Sequence, residues 1–138
     1  SFLKRNDLDW DITNSEKITP LFTLLEQHLF LEDAHLTHHI FSVIDKTDLN
    51  NQNNEGNTAV MHFIKTSYEV NNQISQSLLF YMLNKPEIDL SIQNNDNQNI
   101  FQVASEDKYI LEDLLKHSFY ILNNNKFNRK DNNKPKIL

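Results

Sequence analysis

The sequence contains no cysteine and only one glycine, Gly56, among its 138 residues. Without cysteine the chain can form no disulfide, no thiolate nucleophile and no cysteine-type zinc site, which is compatible with a reducing compartment. A single glycine excludes the glycine-rich loops that hold nucleotide phosphates. No apolar run approaches the roughly 20 residues that a membrane-spanning helix needs. We therefore expect no membrane span and no cofactor.

The charge of the chain is acidic and unevenly distributed. The net charge is −6, yet the basic residues concentrate in the Asn-rich segment 119–138, so the remaining body is more acidic than this value suggests. Phosphate contacts need a basic face, so we expect no nucleic-acid partner. The first residues are Ser1-Phe2, with no initiating methionine and no signal-like segment. We interpret the chain as a piece of a larger soluble protein.

One short phrase occurs three times along the chain. Thr19 and Thr58 are 39 residues apart, and Thr58 and Asn99 are 41 apart. A fixed period of this length is typical of stacked structural repeats, which usually work as binding surfaces. The three copies are residues 10–21 (WDITNSEKITPL), 49–60 (LNNQNNEGNTAV) and 90–101 (LSIQNNDNQNIF).

Each phrase is followed by two apolar stretches with helical periodicity. Thr19-Pro20 predicts a helix start, because the threonine hydroxyl can cap a backbone N–H and proline needs no partner for its nitrogen. At the turn, Gly56 suits positive φ, and Lys17 and Asn97 hold the same place in the other copies. The predicted helices are residues 20–27, 36–44, 59–66, 73–83, 100–105 and 108–116.

The phrase resembles the ankyrin repeat, whose pattern is a β-turn followed by Thr-Pro-Leu-His-x-Ala. The matching residues are Thr19-Pro20-Leu21-Phe22 and Asn53-x-x-Gly56-x-Thr58-Ala59. All three motif histidines are missing, and the period exceeds the family's roughly 33 residues. The resemblance implies an all-α solenoid of about three helix-pair repeats joined by β-turn or hairpin loops. The alternative is a helix-pair solenoid of the armadillo/HEAT type.

The whole chain is predicted to be a single domain. Its repeats span about 8–47, 48–88 and 89–118, and residues 119–138 form a cap, a partial repeat or a tail. In ankyrin proteins, partners usually meet the turn tips and the exposed side of the first helices. Carried to this sequence, that surface consists of Trp10, Ser15, Glu16, Ile18, Glu26, Asn54, Glu55, Asn57, Lys65, Asn95, Asp96, Gln98 and Glu106. Most of its charges are acidic, so we expect a protein partner with a basic segment.

The sequence shows no catalytic candidate, so we predict that the fragment is not an enzyme. His35 and His39 lie one turn apart on a predicted helix, near Glu32 and Asp33, and two such histidines can bind zinc. No HExxH motif and no third ligand accompany them, so we predict no metal site. Adjacent carboxylates elsewhere point in different directions on a helix and are read as solvated charge.

These observations predict a non-catalytic, monomeric protein–protein interaction module. The degenerate, Asn-rich repeats resemble the style of ankyrin-bearing effectors that intracellular bacteria deliver into host cells. A cytosolic location follows from this reading, in the host cytoplasm if the parent is a secreted effector. The alternative is a structural accessory domain packed against an enzyme domain of the same chain. Trp10 or the segment 119–122 would then form the intramolecular interface.

Overall fold

The computed structural model describes residues 9–30 and 34–123, and across these residues the chain is all-α without a β-strand. No helix within these ranges has the length and apolar character needed to cross a bilayer. The helices are α1 (Pro20–Glu26), a short 3-10 helix (His28–Phe30), α2 (Ala34–Lys46), α3 (Ala59–Thr66), α4 (Gln73–Leu83), α5 (Ile100–Ala104) and α6 (Lys108–Asn123).

The predicted helices agree closely with these bounds. The predictions for α3 and α4 match the structure at both ends, whereas α2 is longer at both ends than predicted. Helix α6 continues to Asn123, so residues 119–123 belong to this helix. The side chains of the segment 119–122, predicted as an alternative interface, lie outside the described residues, as do residues 124–138 of the predicted cap, partial repeat or tail.

The helices that follow the three copies of the phrase, α1, α3 and α5, differ in how their N-termini are capped. The Thr58 hydroxyl accepts a hydrogen bond from the Met61 N–H at 3.4 Å, as predicted for this position. At α5 the cap is reciprocal, since Asn99 and Gln102 each accept a backbone N–H from the other. Thr19 is the N-cap of α1 and Pro20 its first residue, as predicted, but the predicted bond to the Thr19 hydroxyl is absent. The hydroxyl is buried without a partner, and the Phe22 N–H donates to the Thr19 carbonyl at 3.2 Å instead.

A continuous apolar core joins the helices. Helix α3 lies between α1 and α5 and contacts both, while α1 packs on α2, α5 on α6 and α2 on α4. Phe22 and Phe63 are fully buried in this core. Leu49 and Leu90, which open the second and third copies of the phrase, are buried beside them, and Trp10 packs partly buried at the equivalent place. The core therefore fixes the position of the three turns.

Candidate functional site

The three turn segments, residues 9–19, 48–58 and 89–99, close through one recurring arrangement. In the second, the carboxamide Oδ1 of Asn53 accepts hydrogen bonds from the N–H groups of Glu55 and Asn57, both at 3.0 Å. The Asn53 N–H in turn donates to the Asn57 carbonyl at 2.9 Å. An asparagine at this place replaces a backbone turn with its own side chain. The loop is thus held rigid by one residue.

The first and third turn segments repeat this geometry. Asn14 Oδ1 accepts the N–H of Glu16 at 2.8 Å and of Ile18 at 3.1 Å. Asn94 Oδ1 accepts the equivalent pair, the N–H groups of Asp96 and Gln98, both at 3.0 Å. The same phrase therefore produces the same backbone three times.

Each turn also contains one residue with a left-handed backbone. The φ angles are 62° at Lys17, 80° at Gly56 and 61° at Asn97, at the places that the sequence predicts. Glycine adopts this region freely, asparagine at modest cost and lysine at greater cost. The prediction of equivalent turns is confirmed at these three residues.

Neighbouring turn tips are joined by backbone hydrogen bonds. The Asn54 N–H donates to the Glu16 carbonyl at 3.1 Å, and the Asn95 N–H donates to the Glu55 carbonyl at 3.0 Å. The Asn95 carboxamide adds a bond to the Asn54 carbonyl at 2.8 Å. These bonds therefore hold the three turn tips in series, each at a fixed position relative to the next.

A second set of bonds joins the bases of the turns. Asp11 Oδ1 accepts the Asp48 N–H, and Asn50 Oδ1 accepts the Asp89 N–H, both at 2.9 Å. These bonds between neighbouring turns were not predicted from the sequence. A related pattern is visible in the sequence, because Asp9, Asp48 and Asp89 recur with the spacing of the repeated phrase. In the structure the carboxylate of each accepts the backbone N–H of the residue two positions later.

Three carboxylates occupy the same position in successive turns. Glu16, Glu55 and Asp96, here named the acidic row, each follow the turn asparagine by two residues, and all three are exposed. Their backbones are fixed by the turn bonds, and the carbonyls of Glu16 and Glu55 bond the next tip. The row therefore presents negative charge at regular intervals along the linked tips.

Three residues of the predicted surface are instead buried or half-buried. Asn57 is only 1% exposed, so its predicted place on an open binding surface is wrong. Its Oδ1 accepts the Asn94 carboxamide N–H at 2.9 Å, which buries it between the second and third turns. Gln98 is half-buried and bonds the same Asn94 carboxamide at 3.1 Å. Ile18 is also half-buried against the core.

The remaining predicted residues lie at the tips and beside the first helices. Glu26 Oε2 accepts a hydrogen bond from His62 Nε2 at 2.6 Å. Trp10 is half-buried, and its indole N–H is buried without a hydrogen-bond partner, so much of the ring packs on the core. The residues of this set that are exposed are Ser15, Glu26, Asn54, Lys65, Asn95 and Glu106, together with the acidic row.

The histidine pair on α2 does not extend into a metal site within the described residues. His35 is exposed and His39 is half-buried. In the ranges 9–30 and 34–123, no group of three or more His, Asp or Glu side chains is placed to hold a metal ion. Glu32 and Asp33, predicted to lie nearby, fall outside these ranges.

A groove of about 580 Å³ is lined by residues of α2 and α4, among them Phe41, Asp45 and Tyr81. The Asp45 carboxylate accepts the Tyr81 hydroxyl at 2.7 Å and pairs with Lys85. Burial acts to raise the pKa of Asp45, but the hydrogen bonds from Lys85 and Tyr81 lower it below its ordinary value. Asp45 and Lys85 neutralise each other, so we assign this cluster a structural role.

No protein-family model matches this chain, and no curated protein matches it either. The function of the chain is therefore inferred from its own residues. The feature that distinguishes it is the threefold recurrence of one turn geometry with an acidic residue at each tip.

Proposed function

We propose that this chain is a protein-interaction module built as a solenoid of three ankyrin-like helix-pair units, which binds its partner along the turn tips. The main support is the pair of tip-to-tip bonds, Asn54 to Glu16 and Asn95 to Glu55, which place three equivalent turns in series. Helices α1, α3 and α5 pack in series behind the turns, which also supports a solenoid. Repeats stacked in this way provide extended binding surfaces.

The acidic row favours a basic, extended segment as the partner. The helices α1, α3 and α5 that follow the turns pack in series, and packed helices lie about 8–10 Å apart. Equivalent carboxylates should thus recur at about 10 Å, which a polyproline II segment covers in one three-residue turn at about 3.1 Å per residue, so that every third side chain lies on the same face. We propose a partner with Lys or Arg at every third position.

Such binding would be cumulative and sensitive to salt. A single exposed ion pair contributes about 0.2–1 kcal/mol, so several pairs must act together. Exposed charges are screened over about 10 Å at 0.1 M salt, so affinity should fall as ionic strength rises. We propose a host-cell cytosolic protein as the partner, on the strength of the resemblance to secreted ankyrin-bearing effectors.

A capture experiment tests the proposed surface. The probe is the chain with Glu16→Lys, Glu55→Lys and Asp96→Lys, compared with the wild type on cytosolic extract after circular dichroism confirms both are folded. The charge-matched control changes Glu69, Glu87 and Glu112 to Lys, which are exposed residues away from the row. A protein retained by wild type and control but lost with the row variant supports the proposal. If the captured protein is lost equally with both triple variants, the assigned surface is refuted.

The accessory-domain alternative draws on an exposed apolar residue in the first turn segment. Ile12 is 62% exposed and lines a groove of about 330 Å³ with Ile18 and Thr19, whose buried hydroxyl has no partner. An exposed apolar patch of this kind can be covered by another domain. Hydrogen exchange of residues 12–19 in a longer parent chain discriminates the two readings. Added protection in the parent supports the alternative, and unchanged exchange removes it.

A further inference from the structure

His28, in the 3-10 helix after α1, is only 1% exposed and is engaged at both ring nitrogens. Its Nδ1 lies 2.8 Å from the Leu25 carbonyl, and its Nε2 lies 2.5 Å from the Ser75 hydroxyl on α4. The ring also packs edge-on against Phe63 of α3, with centroids 5.1 Å apart. One buried imidazole therefore connects α1 with α3 and α4.

The partners determine where the protons lie. A carbonyl can only accept, so Nδ1 must carry hydrogen and donate to Leu25. In the neutral ring Nε2 then carries no hydrogen, so the Ser75 hydroxyl donates to it while accepting the Glu69 N–H at 3.2 Å. The chain of bonds runs from Glu69 through Ser75 and His28 to Leu25. Every group in it is satisfied when the imidazole is neutral.

We propose that these four residues form a pH-sensitive latch between the first and second helix pairs, closed when His28 is neutral and released when it is protonated. Protonation turns Nε2 into a donor, so the Ser75 hydroxyl must turn from donating to the ring to accepting from it, and its own buried hydrogen loses the ring nitrogen as its acceptor. It also places a positive charge in an apolar setting, which is costly without a close counter-charge. Burial accordingly lowers the pKa of His28 below its ordinary value, against the smaller opposing effects of the Leu25 carbonyl and of Glu69.

The surrounding charges offer little compensation for a protonated ring. Glu69, in the loop before α4, is the carboxylate that favours the charged form, but it is exposed and screened by solvent. Tyr68 in the same loop turns its hydroxyl to Asp113 of α6 at 2.7 Å. On α1, Glu26 bonds His62 of α3 rather than His28. The neutral state is therefore the one that the fold accommodates.

The expected consequence is a local loss of stability in mild acid. The folded-state pKa lies below that of the unfolded chain, so stability is fully present above about pH 6.5 and is lost as the pH falls. At pH 5.5, one pH unit below the ordinary histidine value, the unfolding equilibrium constant should rise by up to about tenfold from this group alone. The opening should begin between α1 and α4, whereas α5 and α6 should keep their protection.

Denaturant unfolding between pH 7.5 and pH 5.5 tests the latch. The wild type is compared with His28→Gln, which keeps a donor and an acceptor without titrating, and with His38→Gln, which removes an exposed histidine of α2. We expect the wild type and His38→Gln to lose stability in acid by similar factors, and His28→Gln to lose markedly less. Equal acid sensitivity in His28→Gln and wild type would overturn the proposal.

Two measurements on the wild type keep the proposal testable if His28→Gln does not fold. In an NMR titration, the His28 ring should protonate with a midpoint below 6.5. A midpoint at or above 6.5 would contradict the latch. Hydrogen exchange should show protection lost first around residues 25–30 and 73–76. A uniform loss across α1 to α6 would also contradict it.

Discussion

A side chain at Gly56 would meet the backbone of the next turn. A Cβ built on Gly56 would lie 2.6 Å from the Asn95 nitrogen, closer than real Cβ contacts, and φ at Gly56 is +80°. The left-handed conformation alone costs other residues about 1–2 kcal/mol. We predict that Gly56→Ala lowers the free energy of unfolding by at least about 2 kcal/mol, measured by urea denaturation.

Lys17 provides the matched control, because it has the same left-handed backbone in the first turn at φ 62°. Glycine relieves the conformational cost there, although it increases the entropy of the unfolded chain. We predict that Lys17→Gly raises the free energy of unfolding by about 0.5–1 kcal/mol. A stabilising Gly56→Ala, or a strongly destabilising Lys17→Gly, would contradict the equivalence of the two turns.

The turn asparagines should be more important for stability than their surface position suggests. Asn53 is buried and its Oδ1 accepts two backbone N–H groups. Removing an acceptor from a buried donor costs about 1–3 kcal/mol. Asn53→Ala should therefore destabilise the fold by this amount in urea unfolding. Asn53→Asp keeps the accepting oxygen and should be milder, and equal effects of the two changes would contradict a role for Oδ1.

The buried pair Tyr68 and Asp113 should also be sensitive to substitution. The Tyr68 hydroxyl donates to Asp113 Oδ2 at 2.7 Å. Tyr68→Phe leaves the buried carboxylate without this donor, which should cost about 1–3 kcal/mol. Tyr109→Phe, on the exposed side of α6, should change stability by less than about 0.5 kcal/mol. Thermal unfolding of the two variants at pH 7 gives the comparison.

The same pair predicts a loss of stability in alkaline solution. Burial, followed by the hydrogen bond to Asp113, raises the pKa of Tyr68 well above its ordinary value. Below pH 10 the Tyr68 hydroxyl is protonated in both the folded and the unfolded chain. Above pH 10 it ionises first in the unfolded chain, so the free energy of unfolding falls as the pH rises. Wild type should lose more stability than Tyr68→Phe between pH 9.5 and pH 11. Parallel losses would show that Tyr68 does not contribute.

The parts of the fold that the sequence predicts depend on neighbours in the chain. The bounds of α3 and α4 follow from apolar spacing, and the left-handed residues follow from the position of Gly56 in the repeated phrase. These features depend on a few consecutive residues, so local rules suffice.

Features that depend on distant residues were not predicted. Asn57 looks like a polar tip residue, but Asn94, 37 residues later, buries it. His28 looks isolated, but Ser75 lies 47 residues away in the chain and 2.5 Å away in space. Such pairings require the packed structure, because spacing alone does not show which side chains meet.

Binding of designed peptides tests the proposed interaction surface most directly. One ten-residue peptide has Lys at every third position, and a second has the same composition with its lysines adjacent. Fluorescence anisotropy at low salt should show at least about fivefold tighter binding of the spaced peptide, equivalent to about 1 kcal/mol. The Glu16→Lys, Glu55→Lys, Asp96→Lys variant should lose this preference. Equal affinities for the two peptides, or binding that is indifferent to the variant, would contradict a surface organised by the acidic row.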